Sequence, residues 1–266
     1  MENEQKIKEI VRETYGKIAS ENNQEESCCT KSCCCTSENN NLMAENYAGI
    51  DGYNPDADLG LGCGLPTKFA KIKKGDTVID LGSGAGNDCF VARAEVGDTG
   101  RIIGIDFTPE MIEKAKNNTQ KRGFTNVDFI YGDIDKMPVE SNLADVIVSN
   151  CVLNLVPNKK AVFEEIYRVL KPNGHFSISD IILTGELPDE IKSVVEMYAA
   201  CITGAISKEN YIKNIEEAGF KNIIIQKEVT IDLPEEFMEM NFSEETIKAY
   251  NENPEIIKSI TVYAEK

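Results

Sequence analysis

Tryptophan is absent from this 266-residue chain and histidine occurs once, at His175. That inventory nearly excludes catalysis by a histidine base or a multi-histidine metal site. Long apolar runs are also missing, since none approaches the roughly 20 residues that span a bilayer. The charged stretch Met1–Ala19 lacks the apolar centre of a signal peptide. A cytoplasmic monomer is the expectation. Positive charge is scarce, with 28 Lys and Arg against 45 Asp and Glu, for a net charge of −17. So acidic a surface repels phosphate backbones and anionic lipid, which makes nucleic acid and membranes poor partners. A small neutral or cationic substrate is compatible with it.

Cysteine, by contrast, is abundant. Five of the nine crowd together as Cys28, Cys29, Cys33, Cys34 and Cys35, and four stand apart as Cys63, Cys89, Cys151 and Cys201. An odd number with no secretory signal favours metal or redox chemistry over a disulfide framework. Any single scattered cysteine is equally well read as a small buried apolar residue. The crowded five lack the C-x-x-C spacing of zinc ribbons and could be a flexible scavenger of soft metals.

Apolar periodicity predicts an N-terminal helix over residues 5–19, then an aperiodic, flexible, cysteine-rich stretch over 20–45. From Thr77 short apolar strands alternate with amphipathic helices. Strands are expected at Thr77–Leu81, Arg101–Asp106, Val127–Tyr131, Ala144–Ser149 and His175–Ile182, with helices near 87–95, 109–122 and 159–170. Thr108 is placed to cap the second of these helices, with Pro109 in its first turn. Such alternation specifies an α/β fold with a doubly wound, mostly parallel sheet. Two more helices, near 189–200 and 207–218, precede a strand at 222–229, and SITVYA near the end suggests another. The division expected is 1–45 as an N-terminal segment, 46–186 as a cofactor-binding domain, and 187–266 as a small α+β extension that binds substrate.

The first strand runs out through Asp80-Leu81-Gly82-Ser83-Gly84-Ala85-Gly86 into a helix. Glycines let the backbone turn sharply beside a ligand, and the helix N-terminus favours an anion such as a carboxylate. The spacing G-x-G-x-G differs from the G-x-G-x-x-G of a dinucleotide pyrophosphate loop. Asp106, closing the second strand, can accept from both hydroxyls of a ribose, and Asp133, following the third, from an adenine amino group. NAD is an alternative for the same acids. Together these segments resemble the class I S-adenosylmethionine methyltransferases, with their Rossmann-like fold. The resemblance implies cofactor contacts from Asp80, Gly82, Ser83, Gly84, Asp106, Phe107, Asp133, Ile134 and Asn150.

Three further segments carry a narrower resemblance: Leu61-Gly62-Cys63-Gly64-Leu65-Pro66, Ser149-Asn150-Cys151-Val152-Leu153-Asn154, and Ala200-Cys201-Ile202-Thr203-Gly204-Ala205. With Asn87-Asp88-Cys89 after the glycine loop, they resemble the arsenite methyltransferases across roughly residues 45–225. That family implies that Cys63, Cys151 and Cys201 bind arsenic and carry the catalysis. It also implies an N-terminal cysteine in a redox cycle, with thioredoxin or glutathione as reductant. The chain departs from it in having the Cys28–Cys35 cluster, Leu61 where some members have tyrosine, and Ala200 where some have an acid. Trivalent arsenic is soft and prefers thiolates. Held by three of them it keeps a lone pair that can itself attack a methyl group, so no histidine base is needed. Two other functions compete: methylation of a small organic acceptor such as a quinone precursor, and arsenic binding without turnover. Cys89 is expected to pack in the core and His175 to be structural.

Overall fold

The computed structural model describes residues 2–21, 45–193 and 201–266. The Cys28–Cys35 cluster, Ala200 and the expected helix beyond residue 193 lie outside them. After a long N-terminal helix α1 (Glu2–Glu21) and a short α2 (Pro66–Phe69), strands and helices alternate: β1 (Thr77–Leu81), α3 (Asn87–Val96), β2 (Arg101–Asp106), α4 (Pro109–Arg122), β3 (Val127–Tyr131), β4 (Ala144–Asn150), α5 (Lys159–Val169) and β5 (Leu170–Leu183). Then follow α6 (Asp189–Ser193), α7 (Lys208–Glu217), β6 (Lys221–Thr230), α8 (Glu235–Asn241), α9 (Glu244–Asn251) and β7 (Ile257–Glu265). One seven-stranded sheet has the order β3-β2-β1-β4-β5-β7-β6. The first five strands are parallel, and β7 runs antiparallel between β5 and β6. This is the class I methyltransferase fold.

The strands read as continuous apolar runs because helices cover both faces of a parallel sheet. Ile79, Leu81, Ile105, Val146, Ile147 and Val148 are all fully buried, each such side chain stabilising the fold by about 1.5–3 kcal/mol. Helix starts and stops follow local chemistry. Asn158 caps α5 by accepting from the Ala161 amide at 3.1 Å, and Ser207 caps α7 by accepting from Asn210 at 3.3 Å. Thr108 does stand at the N-cap of α4, yet its side chain caps nothing, because the hydroxyl is turned to Asp106, whose Oδ1 also accepts from the Thr108 amide at 2.8 Å.

Two differences from the sequence expectation have simple causes. The β5 ladder begins at Leu170 instead of His175, because Asn173-Gly174 forms an irregularity within the strand and does not end it. In the acidic tail, α8 and α9 form where Ser243 caps the second helix by accepting from Thr246. The last two strands, from residues 221–265, complete the same sheet as the cofactor half. His175 donates from Nε2 to the Ala70 carbonyl at 2.6 Å and packs its ring, tilted, against Tyr263, as a structural residue would. No helix among the described residues is long and apolar enough to cross a membrane.

Chain direction across the sheet positions everything that follows. From β1 the chain moves to β2 and β3 on one side, then returns to β4 on the other. Ligands in open α/β sheets bind beyond the carboxyl ends of the strands where the order reverses. Here that crevice opens between the Gly82–Gly86 turn after β1 and Asn150-Cys151 after β4.

Candidate active site

A cavity with about 1080 Å³ of unfilled space, counting its open mouth, occupies that crevice. Its wall includes Asp80, Gly82, Ser83, Gly84, Asp106, Phe107, Asp133, Ile134, Asn150 and Cys151, which are all nine residues expected to meet a cofactor plus one of the three cysteines. The turn is built by glycines where side chains could not follow. Gly84 has φ +50 and faces open cavity, while Gly86, at φ +97, forms the N-cap of α3. Asp106 ties the turn down: its Oδ2 accepts from the Gly84 amide at 2.9 Å and its Oδ1 from Thr108. The Thr108 hydroxyl and the Phe107 amide also bond this carboxyl, which lines the cavity.

Acidic groups converge here without cations. Asp80 and Asp106 are buried, and Asp88 lies beside them on the first turn of α3. Desolvation, then the charge of Asp88, hold the Asp80 carboxyl well above the usual range, and desolvation raises Asp88 to about 6. Asp106 is raised for the same first reason. No Lys or Arg among the described residues pairs with any of the three. A site of this kind favours a ligand that brings positive charge and disfavours a pyrophosphate, which counts against NAD. The Ser83 hydroxyl is buried with no hydrogen-bond partner among the described residues, as expected of a group kept for a ligand. Asp133 is exposed and pairs with Lys8 at 3.1 Å, and Lys8 also reaches Asp135 at 2.9 Å.

The three cysteines come from segments far apart in sequence and share one buried cluster at the carboxyl end of the sheet, with Val11, Leu155 and Ile181. Each is at most 3% exposed. Cys151 has its thiol against those of both Cys63 and Cys201. Burial pushes the Cys63 and Cys151 thiols up, Cys151 further because its sulfur neighbours add to it. Cys201 Sγ donates to the Cys151 carbonyl at 2.7 Å. As they stand, no three His, Cys, Asp or Glu side chains among the described residues are spaced to grip one ion. Cys151 and Cys201 both adopt left-handed backbone, with φ of 60° and 61°. That conformation is uncommon for a residue with a Cβ and costs of order 1 kcal/mol.

Asn150 has a second task that sequence reasoning missed. Its Oδ1 accepts from the amides of Cys63 at 3.0 Å and Gly64 at 3.2 Å, and its Nδ2 donates to the Gly64 carbonyl at 2.8 Å. It therefore fastens the Cys63 segment to the tip of β4. Ser259 on β7 holds the same segment by donating to the Cys63 carbonyl at 2.6 Å. Asn154, anchored on the buried Asp180 at 2.9 Å, supports the third segment: a Cβ on Gly204 would stand 1.9 Å from the Asn154 carbonyl oxygen. Gly204→Ala is accordingly expected to destabilise the protein by about 1–3 kcal/mol. It should shift the segment that carries Cys201 while leaving the glycine turn in place, since the backbone it displaces does not belong to that turn. Thermal unfolding and the rate at which a thiol reagent modifies Cys201 check both parts.

Tyr47, which donates to Asp88 at 2.9 Å, and Lys8 and Tyr15 of α1 also enter the site unforeseen. Asp88 alone carried a signal, as an acid just past a glycine turn. Cys89 packs fully buried in the core as expected, and its thiol also donates to Asp80 at 3.3 Å.

An arsenite methyltransferase of Halobacterium salinarum is 47% identical over 169 residues, covering 64% of this chain and 43% of that protein. A demethylmenaquinone methyltransferase of Oceanobacillus iheyensis is 33% identical over 107 residues, covering 40% of this chain and 45% of that one. The chain thus spans under half the length of these relatives. The crystal structure of an arsenic(III) S-adenosylmethionine methyltransferase from Chlamydomonas reinhardtii superposes with a TM-score of 0.65 at 31% identity, covering 77% of this chain and 67% of that one. A family model described as a methyltransferase domain matches residues 72–219, from the lead into β1 to the end of α7. With more than half its residues in that match, including the glycine turn and all five parallel strands, the chain belongs to the methyltransferase-domain family.

Proposed function

We propose that this protein transfers methyl groups from S-adenosylmethionine to trivalent arsenic, arsenite or methylarsenite, held by Cys63, Cys151 and Cys201. The observation that carries the reading is the convergence of three thiol-bearing segments behind a cavity lined by Asp80, Asp88 and Asp106, none paired with a Lys or Arg among the described residues, with the buried Cys151 in its wall. Bound S-adenosylmethionine supplies an electrophilic methyl group on a sulfonium. Asp80 and Asp88 suit its ammonium, Asp106 its ribose, and Ile134 with Asp133 its adenine, once Lys8 gives way at Asp133. Ser83 offers a free hydroxyl nearby.

The thiols exchange with the hydroxyls of arsenite, each proton leaving as water with a departing hydroxide. Once Cys201 has lost its proton it can no longer donate to the Cys151 carbonyl, and the lone pairs of sulfur and oxygen repel. Its sulfur is then driven to turn from that carbonyl, completing the ligand set that the protonated form lacks. The excluded-water setting keeps the arsenic lone pair unhydrated and aligned. No proton needs to leave arsenic, which agrees with the near absence of histidine. Residues 187–266 contribute Cys201 and Ser259 to this site. Methylation oxidises arsenic, and two protein thiols return it to the trivalent state as a disulfide that thioredoxin or glutathione reduces. Such a cycle suits the cytoplasm, where thiols are kept reduced.

Incubation with arsenite, S-adenosylmethionine and a thiol reductant, followed by identification of products by mass, tests the proposal. Methylated arsenicals are expected. Methyl transfer to a quinone precursor but never to arsenic would overturn it in favour of the organic acceptor. Stoichiometric arsenite binding with no transfer would leave a binding protein.

Cofactor binding should also release protons. A cation beside Asp88 returns its carboxyl from about 6 toward the ordinary range, so roughly half a proton leaves near pH 6 and almost none from this group near pH 8. Calorimetry in two buffers of different ionisation enthalpy measures the difference. Asp88→Asn should remove the release near pH 6, and a variant that releases as much there as the parent would contradict this assignment of Asp88.

A further inference from the structure

α1 lays one face across the junction between the cofactor cavity and the thiol cluster. Lys8, Val11 and Tyr15 all line the cavity, and their spacing of three and four residues puts them on one side of a helix. Lys8 holds one end through Asp133 and Asp135. At the other, Lys114 Nζ donates to the Ala19 carbonyl at 3.3 Å. Between these anchors, Val11 and Tyr15 pack into the same cluster as Cys63, Cys151 and Cys201. The Tyr15 hydroxyl bonds the Cys201 thiol and lies near Cys151 and Asp106. Of the three cysteines only Cys151 reaches the cavity surface. Tyr15 therefore stands where a group carried by arsenic toward the cofactor would have to go.

We propose that Tyr15 is the size-determining wall of the substrate site, its ring setting how large a group the arsenic can carry. The inference rests on the arsenical reading above. Among its neighbours in the thiol cluster, Ile181 and Ile257 are fully buried residues of paired strands, and Leu155 follows the β4 tip in a short 3-10 turn. Tyr15 belongs to α1, which is anchored by the buried Val11 and Ala19 and by the ion pairs of Lys8, the latter worth little each. Only partly buried itself, Tyr15 is the neighbour whose removal opens space at less structural cost than either isoleucine. Its hydroxyl and its ring make separate contributions, and only the ring limits size.

The test compares binding of arsenite with binding of phenylarsenite, which condenses with two thiols and releases water, by thiol competition on the full chain without cofactor. Tyr15→Ala is expected to raise the phenylarsenite-to-arsenite affinity ratio about tenfold or more, the scale on which a pocket discriminates by size. Tyr15→Phe, which keeps the ring, should leave the ratio within about twofold. An unchanged ratio in a Tyr15→Ala protein whose thermal unfolding matches the parent would overturn the proposal, as would equal shifts in both variants. Parent protein that binds both arsenicals but transfers no methyl would refute the proposed activity and leave the Tyr15 test standing. Parent protein that binds neither would refute both.

Discussion

Replacing Cys151 by serine is expected to cut arsenite methylation at least about 100-fold while cofactor affinity stays within about twofold. Partners that merely orient a metal's ligands cost about 10–100-fold when lost, so removing a ligand itself should reach the top of that range or exceed it. Cys151 is the most sensitive position because its thiol is the one in contact with both others, and it alone of the three opens on the cavity. A hydroxyl is a hard donor that trivalent arsenic accepts poorly. Serine keeps the left-handed backbone cost that cysteine already bears at φ 60, so the change isolates the sulfur from the fold. Steady-state turnover and a cofactor titration on the same sample are the measurements. Full arsenite activity in Cys151→Ser would rule out the three-thiolate site, and unimpaired turnover of an organic acceptor would identify its replacement.

Asp106→Ala should act on the opposite half of the reaction. The carboxylate forms the end of β2, holds the glycine turn through Gly84, and lines the cavity where it would accept from both hydroxyls of a ribose. Hydrogen bonds to a charged group are worth about 1.5–3 kcal/mol each. Losing two therefore implies a fall in cofactor affinity of about 100-fold or more. Asp106→Asn keeps one acceptor oxygen and should fall between the two. Arsenite binding, carried by sulfur atoms that Asp106 does not touch, is expected to survive both changes. Parallel loss of both ligands from a folded protein would show that the two halves of the cavity are not separable.

These predictions divide along the line between what could be read from the chain and what could not. The glycine turn and Asp106 were legible because parallel strands are buried on both faces and announce themselves as apolar runs. Whatever follows the last apolar residue of such a run stands at the ligand end of the sheet. The same logic placed Cys151 at the tip of β4. Asn150 was legible as a position, but its grip on the Cys63 segment was not, because its partners lie 86 and 87 residues away. Asp88 was visible as an acid near the turn. Its raised proton affinity depends on burial and on the charge of Asp58, which are properties of neighbours in space.

By itself the sequence determined the alternation of strands and helices, the turn that receives the cofactor, the inventory of soft sulfur donors and the near absence of histidine. All of these rest on local period and residue type. Tertiary structure decided which sulfurs meet, that the thiol of Cys201 is turned onto a carbonyl, and that a helix from the beginning of the chain closes the site with Tyr15. A face with three-and-four spacing says only that a helix is buried on one side. What it is buried against is chosen by the packing of the whole sheet.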